Sequence, residues 1–318
     1  MNPWQDINSI LVVGAKGMLG GQVVAALQEN RWREKFDVNE QCGTAALGCA
    51  SNDIKIHAVD LEEIDITKNA SVEHCFDITR PQLVINCAAY TDVDGCERDR
   101  DLAMAVNGGG PGNLAQTCRE HNAKLVHIST DFVFDGKKDK PYLPDDPTGP
   151  LSVYGESKLA GEIAVRQHLK DYIILRISWL FGKHGKNFVT TIRRLARERE
   201  ILEVVHDQVG SPTYAMDLAQ AILHLVEVNA VGTFHFCNEG ICSWYDFACE
   251  IVRRSNLTAE VRPVASERFP RPASRPGWSV LDTAKYRQAT GQPIRSWQAA
   301  LADYLRDLTP DSRDKNEL

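Results

Sequence analysis

The sequence predicts an α/β fold: a doubly wound parallel sheet of the Rossmann type, followed by a smaller C-terminal substrate domain. Three observations support this prediction. A short apolar run at residues 10–13 leads through a glycine-rich turn into a helix-like segment. Strand-like and helix-like segments then alternate as far as residue 177, and beyond it the alternation loosens. In such sheets ligands bind beyond the carboxyl ends of the strands, so we expect the chemistry there.

The first part of the chain contains the regular alternation. Strands are predicted at residues 10–13, 55–59, 83–86, 124–129 and 172–177. Helices are predicted at residues 18–30, 69–79, 99–121 and 153–169, the third loosened by a Gly-Gly-Gly-Pro run at 108–111. Residues 31–53 are more than a helix-to-strand connection needs, which predicts a surface insertion.

The second part is less regular. Helices at 187–198 and 215–228 flank a predicted strand at 201–205, and a strand at 233–237 precedes a helix capped by Ser243. A proline-rich stretch and a last helix after Ser296 follow. We therefore predict a dinucleotide-binding domain of residues 1–178 plus about 210–229, a substrate domain of about 179–209 plus 230–308, and a charged tail at 309–318.

The composition argues against several classes of protein. The formal net charge of −7 disfavours a nucleic-acid partner, and no run is long enough for a membrane helix. The nine cysteines include no Cys-x-x-Cys pair and the nine histidines no His-x-x-x-His pair, so we predict reduced thiols and no metal site. Without a signal-peptide pattern, we expect a cytoplasmic enzyme.

Three glycines spaced three residues apart follow the first predicted strand: Gly14, Gly17 and Gly20. Strand, glycine turn and helix in this order are the context of a dinucleotide-binding fingerprint, because the pyrophosphate sits against the turn and the helix N-terminus. The predicted cofactor contacts of this turn are Gly14, Lys16, Gly17, Met18, Leu19 and Gly20. The alternative is a glycine-rich turn without a function.

Tyr154 and Lys158 lie four residues apart in a predicted helix and therefore share one face. A free phenol has a pKa near ~10, and we expect the fixed ammonium to favour the phenolate and lower that pKa. The pair therefore predicts a tunable proton donor. The same pattern also fits a helix with a surface lysine and a half-buried tyrosine.

Two side chains favour different cofactors. Asp60 stands at the end of the second predicted strand, where a carboxylate accepts hydrogen bonds from the adenosine ribose of NADH. Lys16, inside the glycine turn, suits the 2′-phosphate of NADPH, so we expect tolerance of both NADPH and NADH. Ala88 and Ala89 follow the third strand and are small, as close packing against a cofactor requires.

Further motifs occur in one order along nearly the whole chain. They are VINCAAYTDVD at 84–94, STDFVFDG at 129–136, VYGESK at 153–158, RISWLFG at 176–182, NFV at 187–189, DQVGSPT at 207–213 and Arg-Pro at 275–276. Through these motifs the chain resembles the dTDP-4-dehydrorhamnose reductases, which are extended short-chain dehydrogenase/reductases. It resembles more distantly the regulatory subunit of methionine adenosyltransferase, which shares the fold and binds the cofactor.

The resemblance implies a catalytic trio. The family's threonine of Ser-Thr-Asp corresponds to Thr130, and it acts together with Tyr154 and Lys158. Thr130 then donates a hydrogen bond to the ketone oxygen of the substrate, and Tyr154 gives that oxygen a proton. The resemblance also implies that Lys158 binds the nicotinamide ribose and that Asp65 and Ile66 lie near the adenine. The alternative for Thr130 is a strand-end threonine that satisfies backbone groups.

At the sugar end, the resemblance implies that Thr91 and Val93 lie near the substrate, on the loop after the third strand. Trp179, just beyond the fifth strand, is either a wall for the sugar ring or a core aromatic residue. Asn187 is either a substrate ligand or a helix N-cap. Arg275 is suited to the substrate diphosphate, because a guanidinium pairs well with phosphate oxygens.

The implied reaction is reduction of the C4 ketone of dTDP-6-deoxy-L-lyxo-4-hexulose to dTDP-L-rhamnose with NADPH or NADH, for polysaccharide biosynthesis. Trp278 departs from the family pattern, which more often has a small or polar residue there. It keeps a second reading open, in which the substrate is another nucleotide-linked 4-keto-6-deoxy sugar. A third reading is a non-catalytic regulatory subunit. Some family members form homodimers, and no motif decides that state for this chain.

Overall fold

Six parallel strands form the central sheet of the computed structural model, which describes residues 4, 7–29 and 54–308. They are β1 (Ser9–Val13), β2 (Lys55–Val59), β3 (Leu83–Asn86), β4 (Lys124–Thr130), β5 (Tyr172–Ile177) and β10 (Gly232–Phe236). The spatial order is β10-β5-β4-β3-β1-β2, so the winding reverses between β1 and β3. Apolar side chains of β1, β3, β4 and β5 are buried on both faces, which is typical of a parallel sheet. The predicted doubly wound fold is confirmed.

Helices cover both faces of this sheet. The described α-helices are α1 (Met18–Gln28), α2 (Asn69–Thr79), α3 (Val93–Arg98), α4 (Arg100–Ala103), α5 (Gly110–Glu120), α6 (Val153–His168), α7 (Phe188–Glu198), α8 (Ala215–Glu227), α9 (Trp244–Arg254), α10 (Ala284–Thr290) and α11 (Trp297–Asp307). Helices α1 and α8 contribute to one apolar core with β1 and β5, while α2, α5 and α6 contribute to the core on the other face. The strands thus present their carboxyl ends between two layers of helices.

The predicted long helix at 99–121 contains a π-helical turn. Helix α4 continues through the π turn Met104–Gly109 into α5, without leaving the helical region of backbone angles. Asn107 lies in this turn, and its side chain binds both backbone groups of Tyr90 and the Ser157 hydroxyl. The turn therefore ties the segment after β3 to α6.

A second core lies in the C-terminal part and is formed by α7, α9 and α11 with β7 (Ile201–Val205). A strand that the sequence did not predict, β12 (Glu260–Val264), pairs in parallel with β7. The sequence of this strand, Glu-Val-Arg-Pro-Val, includes a proline, so the segment was predicted to belong to the proline-rich stretch. Short pairs complete this part: β6 (Leu180–Phe181) with β9 (Thr213–Tyr214), and β8 (Val209–Gly210) with β11 (Cys242–Ser243).

The division into two domains stays a proposal that the separate cores support. Helix α8 packs in the core of the main sheet, as predicted for residues 210–229. At one point the structure differs: β10 is the sixth strand of the main sheet, although residues 230–308 were assigned to the substrate domain. The 31–53 insertion and the 309–318 tail lie outside the described residues. Among the described helices, none is long and apolar enough to cross a membrane.

Candidate active site

The glycine turn packs against the segment after β3. Gly14 has a φ of +77°, and a Cβ there would lie 2.7 Å from the backbone nitrogen of Ala88. A Cβ at Gly20 would collide with the carbonyl oxygen of Gly14, so α1 approaches the turn only because residue 20 is glycine. Gly17 precedes α1 and supplies no side-chain cap. The first backbone N–H groups of α1 therefore have no side-chain cap, which fits the pyrophosphate of a dinucleotide.

Lys16 and Asp60 both have partners within the protein. The Asp60 carboxylate accepts a 3.0 Å hydrogen bond from the backbone nitrogen of Lys16. The Lys16 ammonium pairs with Glu62, and this hydrogen bond raises the pKa of Lys16 above its ordinary value. Neither residue therefore presents an unengaged charge to the cofactor.

The remaining predicted cofactor residues lie along the same side of the sheet. Ala88 is half-buried and its N–H donates to Asn86, while Ala89 follows it. Ile66 is buried against Gly110, and Asp65 accepts hydrogen bonds from Thr67. Ile66 and Ala88 belong to one apolar cluster, so the structure brings these two predicted residues into the same layer.

The predicted trio lies at the junction of β4 and α6. Thr130 is the last residue of β4, and α6 begins at Val153 after an N-cap in which Ser152 accepts from the nitrogen of Gly155. A Cβ at Gly155 would collide with the carbonyl oxygen of Phe132, so this glycine lets α6 approach the end of β4. The buried Lys158 donates a 2.6 Å hydrogen bond from Nζ to the carbonyl oxygen of Ile128.

The electrostatics of the trio differ from the prediction. Burial raises the pKa of the half-buried Tyr154, while the nearby Thr130 hydroxyl acts in the opposite direction. Burial also lowers the pKa of Lys158 to about 8, although the charge of Glu162 partly offsets this. The prediction that Lys158 would lower the Tyr154 pKa below its ordinary value is wrong for this arrangement. Desolvation of the phenolate dominates there, and the ammonium is directed at a backbone carbonyl.

The sugar end is lined by aromatic rings. Trp179 stacks on Trp244 with the ring centroids 3.6 Å apart and the planes 9° from parallel. Its backbone has a φ of +48°, an uncommon conformation for a residue other than glycine. A cavity of about 60 Å³ lies beside these rings and is lined by Phe132, Trp179, Gln208, Trp244, Arg275, Pro276 and Ser279. Trp179 therefore lines this cavity.

Other predicted substrate residues are committed to contacts within the protein. Arg275 donates from both terminal nitrogens to the Asp94 carboxylate, at 3.2 and 3.1 Å. Asn187 caps α7, and its side-chain amide donates to Gly182 and Tyr304. The N-cap alternative for Asn187 is thus what the structure displays.

Three further positions complete the comparison with the sequence. Thr91 is exposed after β3, whereas Val93 is the first residue of α3 and not part of a loop, because Asp92 caps that helix. Trp278 donates from its indole nitrogen to the carbonyl oxygen of Lys140 and packs with an apolar cluster around Phe134. It does not line the aromatic cavity.

Comparisons with known proteins identify the family of this chain. The profile of one protein family, described as the RmlD substrate binding domain, matches residues 8–309. The chain belongs to this RmlD family. A dTDP-4-dehydrorhamnose reductase of Streptomyces griseus is 40% identical over 300 residues, which cover 92% of this chain and 91% of that protein.

Two other relatives of this RmlD-family chain bear on substrate and cofactor. A dTDP-4-keto-6-deoxy-D-glucose reductase of Streptomyces niveus is 39% identical over 303 residues, covering 95% of this chain and 98% of that protein. The crystal structure of a dTDP-4-dehydrorhamnose reductase of Bacillus anthracis in complex with NADP superimposes with a TM-score of 0.84. It is 37% identical, covering 94% of this chain and 98% of that one. The resemblance predicted from the motifs is confirmed.

Sequence reasoning about this RmlD-family chain missed two residues of the site. Trp244 was not predicted, because its stacking partner Trp179 is far away in the sequence. Asp131 was quoted within a motif but given no role, although an acidic residue directly after Thr130, a predicted catalytic residue, was a usable signal. Asp131 is buried and contacts Thr130.

Proposed function

We propose that this protein reduces the C4 ketone of dTDP-4-dehydro-L-rhamnose to dTDP-L-rhamnose with NADPH or NADH. The observation that carries the proposal is a juxtaposition at the carboxyl edge of the sheet. The glycine turn after β1 packs on Ala88 after β3, and Thr130 ends the adjoining β4 beside Tyr154. A dinucleotide and a ketone held at this edge would meet near the Tyr154 hydroxyl.

The residues that would hold the cofactor are those of the glycine turn and the facing strand ends. The glycines at 14, 17 and 20 would give the pyrophosphate space, and the first backbone N–H groups of α1 would donate to it. Ala88 and Ala89 would leave room beside them. A bound nicotinamide supplies the hydride. Asp60 and Lys16 flank the adenosine side, and their internal partners are compatible with either cofactor.

The trio stabilises the charge that develops on the ketone oxygen. Burial raises the pKa of Tyr154, so the phenol keeps its proton until an alkoxide, which is a stronger base, forms beside it. Proton transfer from Tyr154 to the sugar oxygen is then downhill. The Lys158 ammonium, one helical turn away, stabilises the phenolate that remains, and Thr130 hydrogen-bonds the reacting oxygen.

The sugar nucleotide would lie along the aromatic cavity. Trp179 and Trp244 offer faces for the sugar ring, and Arg275 stands at the same cavity for the diphosphate. Thr91 and Val93 would border the sugar from the β3 side, and Asn187 would support α7 from behind. At about 60 Å³ the cavity is far below the ~300 Å³ of ordinary ligand sites, so binding requires the rings to separate.

A second substrate deserves a direct test because of one relative. The chain is nearly as similar to the Streptomyces niveus reductase as to the Streptomyces griseus one, so overall identity does not select the sugar. Both substrates carry a C4 ketone on a sugar that is linked to a nucleotide diphosphate, so the trio would treat the two ketones alike. We propose the cytoplasm as the compartment, since the seven described cysteines are free thiols; a homodimer stays a prediction.

The experiment is a coupled comparison of substrates and cofactors. Purified protein receives dTDP-4-dehydro-L-rhamnose or dTDP-4-keto-6-deoxy-D-glucose, with NADPH or NADH, and the loss of reduced nicotinamide absorbance is followed. Product identity is checked by mass and by nuclear magnetic resonance of the sugar. Turnover of the first substrate to dTDP-L-rhamnose supports the proposal. A flat trace with both cofactors and both sugars rejects it, and turnover of the second sugar alone selects the alternative.

A further inference from the structure

A buried carboxyl group adjoins the catalytic threonine and has no role in the reaction as described so far. Asp131 directly follows Thr130 at the end of β4 and is only 2% exposed. Its Oδ1 accepts a 2.9 Å hydrogen bond from the Thr130 hydroxyl. Its Oδ2 is buried and makes no hydrogen bond of normal geometry with the described residues, although the Ser279 hydroxyl faces the carboxyl group. A buried carboxylate with one free oxygen is costly, which favours a functional explanation over a structural one.

The hydrogen count at Thr130 shows what this carboxyl group controls. A threonine hydroxyl has one proton to donate and two lone pairs that accept. In the structure Thr130 accepts from the backbone nitrogen of Phe132 at 3.2 Å and donates its proton to Asp131. When Asp131 is ionised, the Thr130 hydroxyl donates to its carboxylate and therefore cannot donate to the sugar oxygen. A protonated Asp131 reverses the bond, because it donates to the second lone pair and leaves the Thr130 proton for the substrate.

We propose that Asp131 is a positioning residue for the reduction, whose protonated carboxyl group directs the Thr130 proton toward the ketone oxygen. This inference rests on the proposed function. It places a proton on Asp131 that the reaction does not consume. Atoms balance, since the carboxyl proton moves only within the Asp131–Thr130 hydrogen bond and the sugar oxygen still receives its proton from Tyr154. The carboxyl group ends the reaction in the state in which it began.

The surroundings keep Asp131 protonated at higher pH than an ordinary aspartate. The groups that face it are the Thr130 hydroxyl, the Tyr154 phenol from α6, the Cys237 thiol after β10 and the Ser279 hydroxyl. Burial raises the pKa of Asp131 to about 6, and the two hydroxyl groups only partly offset it. Burial also raises the pKa values of Tyr154 and Cys237, so both are neutral there. The Lys158 cation donates to Ile128 instead.

The test compares pH profiles of kcat/KM for the wild type, Asp131→Asn and Thr130→Val with the keto sugar. The wild-type kcat/KM is expected to fall by up to about tenfold per pH unit above the Asp131 pKa. The fall should end at the lower value that Tyr154 supports without the hydrogen bond from Thr130. In Asp131→Asn the side-chain amide donates to Thr130 at every pH, so the fall in kcat/KM above the Asp131 pKa, the alkaline limb of the profile, should be absent. Thr130→Val should lack it too, since Asp131 acts through that hydroxyl. Asp139→Asn, the same change at an exposed aspartate eight residues on, should retain the wild-type profile.

A measurement without turnover accompanies the profiles. The infrared carbonyl stretch of a protonated carboxyl group should be present in the wild type at pH 5, absent in Asp131→Asn, and lost with a midpoint near pH 6. A limb that persists in Asp131→Asn, or a wild type without this band at pH 5, overturns the inference. If Asp131→Asn does not fold, Thr130→Val decides by the same criterion. A wild type inactive on every keto sugar rejects the proposed function, and the infrared titration still decides the state of Asp131.

Discussion

The cofactor end and the sugar end of this site are built in different ways. At the proposed cofactor end, one strand, one turn and one helix are built from consecutive residues 9–28, with Ala88 as the neighbour across the sheet. At the sugar end, the cavity is assembled from residues 132, 179, 208, 244 and 275–279, which come from five separate segments. The first end is therefore set by local backbone requirements, and the second depends on long-range packing.

This difference predicts how each end responds to mutation. A steric change at the cofactor end acts on backbone atoms that cannot move far, so it should be severe and specific to cofactor binding. A change at the proposed sugar end acts on side chains from separate segments, which can shift more easily than backbone atoms, so its effects should be graded. The proposed catalytic trio lies between the two ends, and the largest effect on rate should come from there.

The largest expected effect is that of Tyr154→Phe. It removes the proton donor and keeps the ring that packs edge-on against Phe132, so kcat should fall about 10²- to 10⁴-fold. The dissociation constant for NADPH, measured by fluorescence, should stay within a factor of about two because the cofactor end is untouched. Tyr172→Phe is the matched control at the opposite edge of the sheet and should leave kcat unchanged. A Tyr154→Phe enzyme with wild-type kcat would remove the phenol from the mechanism.

The next effect breaks the cofactor end itself. Gly20→Ala places a methyl group against the carbonyl oxygen of Gly14, which should cost about 1–3 kcal/mol of folding free energy. Cofactor affinity should fall at least about tenfold, because the turn must shift. Gly21→Ala is the control, since its methyl group would meet His184 at an ordinary 3.4 Å and alanine favours a helix by up to about 1 kcal/mol. Chemical denaturation and cofactor titration of both variants decide this prediction; equal behaviour contradicts it.

The same contrast explains what the sequence could predict. The five strands of the first part and the helix ends near Ser152, Asn187 and Ser243 follow from apolar runs and capping residues, which are local signals. The glycine turn follows for the same reason. The trio required the family resemblance, because nothing local to Thr130 indicates that Tyr154 will lie beside it.

The rest depended on information that a short stretch of sequence does not contain. The stack of Trp179 on Trp244 and the pairing of Arg275 with Asp94 join residues that are distant in the chain. The predicted direction of the Tyr154 pKa shift was wrong because the shift depends on how deeply the phenol is desolvated. Burial is a property of the whole fold. Strand β12 was missed because only its partner β7 makes it a strand.

A third prediction sharpens the role of Arg275. Asp94 holds this guanidinium at the cavity, and the two side chains are 19% and 24% exposed. Asp94→Asn should lower the free energy of unfolding by about 1–2 kcal/mol at neutral pH, because hydrogen bonds to a charged partner are weakened. The KM for the dTDP-sugar should rise because the guanidinium is no longer fixed. Glu260→Gln, in an exposed pair with Arg262, is the control and should leave stability unchanged.

The stability difference should depend on pH with a defined sign. Burial opposes ionisation of Asp94, but the hydrogen bond and charge of Arg275, with the charge of Arg271, lower its pKa below the ordinary value. A depressed pKa in the folded state means that the contribution is present above the unfolded pKa, near ~3.9, and is lost as the pH falls through the folded value. Denaturation curves of wild type and Asp94→Asn should therefore converge below about pH 4. Curves that converge at alkaline pH instead would contradict this assignment.

A fourth, smaller effect tests the aromatic wall. Trp244→Leu removes the ring stacked on Trp179 and should raise the KM for the dTDP-sugar about three- to tenfold, as expected for loss of an aromatic contact. The NADPH dissociation constant should not change. Trp278→Leu is the matched control, because that indole packs outside the cavity and binds Lys140. If Trp278→Leu raises the KM more than Trp244→Leu, the sugar lies on the other side of the 275–279 segment.

The smallest expected effect concerns the choice of cofactor at the exposed rim of the glycine turn. Lys16 pairs with Glu62, so its ammonium must leave one carboxylate before it can bind the 2′-phosphate of NADPH. Glu62→Gln should release it and tighten NADPH binding about two- to fivefold, a small factor because exposed ion pairs are weak and screened by salt. NADH has no 2′-phosphate, so its dissociation constant should stay the same, and Lys16→Ala should abolish the difference. If both cofactors bound more tightly by the same factor, Glu62 would act through the backbone of the glycine turn and not through the charge of Lys16. The exposed rim would then be governed by the same local backbone requirements as the rest of the cofactor end.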